Sequence, residues 1–217
     1  MKPLRTLSRL LIASCFAIGL STSPTANATT LVELSTEQLT DASDYIVRGT
    51  VNAITSSTDD KGHIWTHVTI DVAERLKGPF GMQTLTVDVQ GGTLGARTTV
   101  VQLSPRFAIG EEVLTFAETL ESGRTMVTGM MQGKYTVRIA PEDGREMLVR
   151  FAPRQDRTYD PRFIPHPQPN LRVYADELSA VIRDRKSAGW DGLDIPGKST
   201  ERLKTMHPNV KALEVAK

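Results

Sequence analysis

The side chains with the widest chemical range in this 217-residue sequence are four histidines and one cysteine, and their neighbours restrict what they can do. His63 and His67 stand four apart, a spacing that would bring two imidazoles together on one face of a helix. The intervening residues, however, follow period two. Ile64, Val68, Ile70 and Val72 share one parity with Thr66, while His63, Trp65, His67, Thr69 and Asp71 share the other. That alternation belongs to a strand with one wet face. Four strand residues span about 13 Å, too far for two ligands bound at about 2 Å from one ion, so no metal site is expected. Thr84 to Gln90 repeats the alternation, with Leu85, Val87 and Val89 inward and Thr84, Thr86 and Asp88 outward. The candidate ligand-binding face is therefore His63, Trp65, His67, Thr69, Thr84 and Thr86, centred on an indole flanked by two imidazoles. Large amphipathic rings in such positions anchor interfaces. The face carries no Arg or Lys of its own, which argues against single-stranded nucleic acid, whose binders pair aromatics with a cationic groove.

Other residues with catalytic potential lack partners. Glu111-Glu112 and Asp59-Asp60 are adjacent in sequence, and neighbouring strand side chains point apart. Gly91-Gly92-Thr93-Leu94-Gly95 follows a strand, but the glycine spacing and the β-branched run Thr98-Thr99-Val100-Val101 do not make a phosphate loop opening a helix. No serine sits in a nucleophile-elbow motif. The sequence therefore predicts no catalytic residue and no cofactor; a hydrolase of unmarked mechanism is the remaining enzymatic alternative.

About a third of residues 45–139 are Val, Ile or Thr, a β composition for the elements that hold this face. Strands are predicted at 45–55, 63–76 and 84–90, then around Leu114 and Phe116, at 125–129, around Tyr135 to Ile139 and at 147–151, with a long irregular stretch from Gly91 to Gly110. Ser35-Thr36-Glu37-Gln38 has capping-box spacing and predicts a short helix over 35–43. Leu178, Val181 and Ile182 with Gly189 beyond them predict a second helix over 175–186. Five prolines between Ala152 and Asn170 mark an extended connector, and residues 190–217 offer too little periodic apolar surface to predict more than a flexible tail. Arg145, Arg150, Arg154, Arg157 and Arg162 cluster near that connector, for fold-back ion pairing or for an acidic partner.

At the N-terminus, Lys2, Arg5 and Arg9 precede an apolar run from Leu10 to Leu20 and the small residues Ala26-Asn27-Ala28. This is the layout of a secretory signal peptide, with cleavage expected after Ala28. The run is too short to span a bilayer, so no stable membrane insertion is expected. An alternative treats Ile12-Ala13-Ser14-Cys15 as a lipoprotein box. The whole chain holds 26 Lys+Arg and 25 Asp+Glu; losing three basic residues with the leader leaves a charge of about −2, without the basic field that draws nucleic acid. The cysteine leaves as well, so the mature domain holds together without disulfides.

Several stretches carry a resemblance. Asp44-Tyr45-Ile46-Val47-Arg48-Gly49-Thr50-Val51, Leu76-Lys77-Gly78-Pro79, Gly91-Gly92, Arg106-Phe107, Ile109-Gly110-Glu111-Glu112-Val113-Leu114 and Met131-Gln132-Gly133-Lys134 resemble a group of uncharacterised exported bacterial OB-like proteins. More distantly the pattern is similar to netrin-like domains, which include tissue inhibitors of metalloproteinases. The resemblance, over roughly residues 32–140, implies an OB barrel with a binding role. It does not extend to the inhibitors' mechanism, because Thr29-Thr30-Leu31 stands where they present an N-terminal cysteine.

The resulting expectation is a mainly β protein: a five- to six-stranded antiparallel OB-like barrel with a short N-terminal helix and a C-terminal helix. It divides into a leader (1–28), barrel (29–151), proline-rich connector (152–170), helix (171–189) and tail (190–217). It is expected in the periplasm or outside the cell as a non-catalytic binder of another exported protein, protease control being one form. A carbohydrate or cell-envelope module is the alternative.

Overall fold

In a computed structural model that describes residues 31–150, 157–159, 165–167 and 171–208, the capping box of the sequence is formed. Gln38 N donates to Ser35 Oγ at 3.2 Å and Ser35 N to Gln38 Oε1 at 2.9 Å. After β1 (Leu31–Val32), these bonds start α1 (Thr36–Ala42). The long strands β2 (Tyr45–Thr58) and β3 (Ile64–Lys77) follow, then β4 (Thr84–Gln90), a small hairpin of β5 (Gly92–Leu94) and β6 (Arg97–Thr99), and β7 (Glu112–Thr119). Next come β8 (Thr125–Val127), a 3-10 turn at Met130–Gly133, β9 (Lys134–Ile139) and β10 (Glu146–Arg150). The described chain closes with β11 (Arg157–Tyr159), β12 (Pro165–Pro167), β13 (Leu171–Tyr174), α2 (Ala175–Ala188) and α3 (Thr200–Met206).

The main sheet runs β13-β10-β9-β7-β2-β3-β4-β8, and β8 also pairs with β7. The second pairing rolls β2, β3, β4, β8 and β7 into the expected OB-like barrel, and the sheet continues past it through β9, β10 and β13. Pairing in this sheet is antiparallel except at closure, where Asp88 on β4 and Met126 on β8 form a parallel bridge.

β7 explains how one sheet serves two cores. Its burial is continuous from Val113 to Glu118 rather than alternating. Val113 and Ala117 join Val47, Val51, Val68, Ile70 and Val87 inside the barrel. Leu114 and Phe116 face the other way, into a cluster with Leu39 of α1, Leu178 and Ile182 of α2, and Tyr135. A strand covered on both faces reads as an apolar run. β2 reaches both clusters through the opposite faces of Ile46 and Val47, and β3 by bulging. Their pairing passes from Arg48 with Glu74 to Gly49 with Val72, leaving Ala73 unpaired. The extra residue inverts the alternation, so Ile70 fills the barrel while Leu76 joins the helix-side cluster. Gly49 lies at this bulge because a Cβ there would sit 2.0 Å from Asp71 O.

Four sequence expectations differ from what forms. The stretch from Gly91 to Gly110 is not wholly irregular, since Gly92–Leu94 and Arg97–Thr99 pair as a hairpin around Gly95. Within the proline-rich connector, β11 pairs in parallel with β1 and antiparallel with β12. The boundary expected at 151 is crossed by both sheet and core: β13 pairs with β10, and α2 packs on α1. Beyond Gly189 the chain does not stand apart, because Trp190, Ile195 and Leu203 are each no more than 5% exposed. Their spacing has no period, and only the surface prepared by α1 and α2 gives them a place to bury. The leader, Cys15, Arg154, Arg162 and residues 209–217 lie outside the described residues. Of the arginine cluster, Arg145 donates to both oxygens of Asp176 at 2.9 Å, and Arg150 is buried with its guanidinium 3.9 Å from Glu33. No helix among the described residues is long and apolar enough to cross a membrane.

Candidate functional site

Among the described residues, the helices cover the outer surface of the sheet at one end. At the other, where the far half of β2 meets the near half of β3 and β4, the outward side chains form an open polar face. Parity is as the sequence predicts. Ile64, Val68 and Ile70 are buried, His63 and Asp71 are exposed, and Trp65, His67 and Thr69 are half-buried. On β4, Leu85, Val87 and Val89 are buried, with Thr84 and Thr86 exposed.

Trp65 is fixed from two directions. Its Nε1–H donates to Asp59 Oδ2 at 3.1 Å, and the Arg124 guanidinium carbon lies 4.2 Å from the indole centroid. Asp59 belongs to the turn between β2 and β3. It also accepts from the backbone N–H groups of Lys61 at 3.0 Å and His63 at 2.8 Å, and faces His63 Nδ1 at 3.1 Å. The indole hydrogen bond, followed by those from His63 and Lys61, holds the Asp59 carboxyl well below the usual carboxylate range. One consequence is spectroscopic: the Trp65 indole N–H resonance should keep its position down to about pH 3, where free carboxylates are already mostly protonated. It should move at neutral pH in Asp59→Asn. An N–H shift that follows an ordinary carboxylate titration would show the bond to be unimportant.

Arg124 continues the network, donating to Asp88 Oδ2 at 3.2 Å. Asp88 Oδ1 lies 2.6 Å from His67 Nδ1, and His67 Nε2 lies 2.7 Å from Ser57 Oγ. Hydroxyl, imidazole and carboxylate in series is the arrangement that activates a serine nucleophile. Acyl transfer also requires donors aimed at the developing oxyanion, whereas Ser57 stands on an exposed strand whose backbone pairs with β3. We read the series as a clamp that fixes the imidazole plane. Thr69 and Thr86 are hydroxyl neighbours at 3.3 Å.

Five of the six candidate residues thus fall on one continuous patch: His63, Trp65, His67, Thr69 and Thr86. Thr84, at its margin, pairs across the ladder with Asp71. The sequence reading missed Asp59, Ser57 and Arg124, and its statement that the face has no cation is corrected by Arg124, which arrives from the β7–β8 hairpin. The patch does not become cationic, since Asp59 and Asp88 outnumber that arginine. His63 and His67 engage different carboxylates, and among the described residues no group of three or more His, Cys, Asp or Glu is placed to hold a metal ion.

Two hollows lie elsewhere, on either side of the segment Ser104 to Phe107. The smaller, about 300 Å³, is walled by Ile54, Val68 and Val89 from the sheet and by Val100 and Val101 from the loop. The larger, about 610 Å³, opens between residues 104–111 and β9. At its floor Lys134 Nζ donates to Glu111 Oε1 and, at 2.8 Å, to Thr136 Oγ1. Burial pushes the Lys134 ammonium down from its usual range, and the Glu111 hydrogen bond opposes that shift. No protein-family model matches the sequence, and a comparison with curated proteins finds no match.

Proposed function

We propose that this is an exported, non-catalytic protein that binds another exported protein through the face centred on Trp65. The observation that carries this reading is the preset indole. Trp65 is half-buried, bonded through its nitrogen and stacked under Arg124, on the stretch of barrel surface that the helices leave uncovered. Rigid aromatic and arginine pairs make effective interface anchors, because little side-chain entropy remains to be lost on docking. Export is supported by the charge and apolar pattern of residues 1–28. The netrin-like resemblance supports a binding role, of which protease control is one form. The near-neutral mature charge favours a protein partner over nucleic acid.

The test is affinity capture from the native exported fraction with the mature chain as bait. A partner retained by wild type and by Phe80→Ala, yet lost with Trp65→Ala, is the expected result; Phe80, 95% exposed, controls for general stickiness. Absence of any protein that distinguishes wild type from Trp65→Ala would remove the reading. Trp65 with its flanking hydroxyls and imidazoles also suits stacking against a sugar ring. The carbohydrate alternative therefore predicts glycan-array binding that disappears in the same variant.

A further inference from the structure

The larger hollow has a chemistry of its own. Period two along β9 lines up Lys134, Thr136 and Arg138 on one side of the strand, and the facing loop contributes Arg106, Phe107, Ile109 and Glu111. Three cations and one carboxylate therefore line it, but they are not equivalent. Glu111 is fully engaged: Oε1 by Lys134 and by Thr136 Oγ1 at 2.5 Å, Oε2 by Ala108 N at 3.1 Å. Lys134 and Glu111 have side chains 11% and 12% exposed, so they form a neutralised floor.

Arg106 and Arg138 remain at the rim. Among the described residues neither has a carboxylate partner, and Arg138 makes only a 3.4 Å bond to Val137 O. Elsewhere on the molecule Arg48, Arg124, Arg145, Arg183, Arg185 and Arg202 each hold a carboxylate. Arg75 and Arg97, like Arg138, hold only backbone carbonyls, of Gly78 and Gly62, whereas Arg106 and Arg138 line one hollow together. Beside it lie Phe107, Met131 and Ile109, the last 69% exposed.

The walls are set in advance. Gly110 N donates to Val51 O at 2.8 Å, Val51 N to Glu111 O at 2.9 Å, and Met131 N to Leu103 O at 3.0 Å. Leu103 and Met130 hold left-handed backbone at φ 63 and 58, a strained conformation for a residue with a side chain. Surrounding contacts keep both there.

We propose that this groove binds an extended acidic segment of a partner protein, with an apolar side chain against Phe107, Ile109 and Met131 and neighbouring carboxylates on Arg106 and Arg138. The site is separate from the Trp65 face and does not depend on it. An arginine held by no partner binds carboxylate in fork geometry without first breaking an internal pair, and a preset groove loses little entropy on filling.

The test is fluorescence anisotropy on the mature chain with three fluorescein-labelled octapeptides: alternating Glu and Leu, alternating Lys and Leu, and alternating Glu and Ser. The Glu–Leu probe should saturate, the Lys–Leu probe should not, and the Glu–Ser probe should bind more weakly. The exposed double variant Arg106→Glu/Arg138→Glu should weaken the Glu–Leu probe by about tenfold or more, the scale of one charge-assisted contact, with an unchanged thermal melt. Trp65→Ala should bind the probe as wild type does, so failure here is distinguishable from failure of the Trp65 reading. The proposal is overturned if the Glu–Leu probe does not saturate by about 1 mM, the weak end of specific affinity. Equal binding of the Glu–Leu and Lys–Leu probes, or indifference to the double charge reversal, overturns it as well. Labelled dodecanoate binding as tightly as the peptide would reassign the groove to a lipid-like anion.

Discussion

Trp190→Ala is expected to lower the unfolding free energy by about 3–5 kcal/mol, the range for deleting a buried aromatic side chain. The indole is 5% exposed and lies in one cluster with Leu39 of α1, Ile182 of α2, Ile195 and Leu203. Its N–H donates to Leu193 O at 2.8 Å, and its centroid is 5.9 Å from the His207 ring. Truncation to alanine leaves a void walled by helix and loop, and the hydrogen bond that folds residues 190–193 into a turn is lost. Against a typical total of about 5–15 kcal/mol, that is a large share. Urea denaturation followed by far-ultraviolet circular dichroism measures it. A change under about 0.5 kcal/mol, the size of an ordinary surface substitution, would mean that the segment contributes nothing to the core.

Asp41→Ala should cost a similar amount, about 3–5 kcal/mol, for an electrostatic reason. The Asp41 side chain is 4% exposed, and its Oδ2 accepts from Arg185 Nε at 2.9 Å and from Arg185 Nη2 at 2.6 Å, clasping α1 to α2. Nearby, Lys77 donates to Thr40 O at 2.7 Å; burial pushes its ammonium down, and the charges of Asp41 and Asp44 oppose that shift. Without Asp41 the Arg185 guanidinium keeps only Asp191, at 3.1 Å, and Lys77 loses an opposing charge. Asp41→Asn should lose most of the same energy despite its matching shape. Adding Lys77→Met to Asp41→Ala should recover part of the loss, because one uncompensated buried charge has been removed. A double mutant that is simply additive would show the two groups to be independent.

What the sequence reveals and what it hides divide along the range of the forces involved. Ser35 and Gln38 cap their own helix through atoms three residues apart, so that element is legible from four letters. The β3 parity is legible for the same reason as far as Val72, and fails beyond it. The bulge at Ala73 depends on how β2 presents Gly49, which no local pattern in β3 encodes. Trp190, Ile195 and Leu203 have no common period, and their burial is decided by a surface built from residues some 150 positions earlier. In the candidate face the indole and the imidazoles were readable from alternation. Asp59 was within reach, since an aspartate in a turn six residues before a tryptophan is a plausible partner for its N–H. Arg124 was not, because it is delivered by a hairpin whose place beside β4 is fixed only when the barrel closes.

The division of the helix-side cluster between the two ends of the chain has a temporal consequence. Leu39 and Phe116 emerge from the ribosome long before Ile182, Trp190 and Leu203, the residues that shield them. Throughout synthesis the growing polypeptide therefore carries an oily flank with nothing to sit on it. Ordering must wait for those residues, and contacts this distant along a chain form slowly. During that interval a holding chaperone has an obvious surface to grip, and the folded protein, once sealed, has withdrawn it.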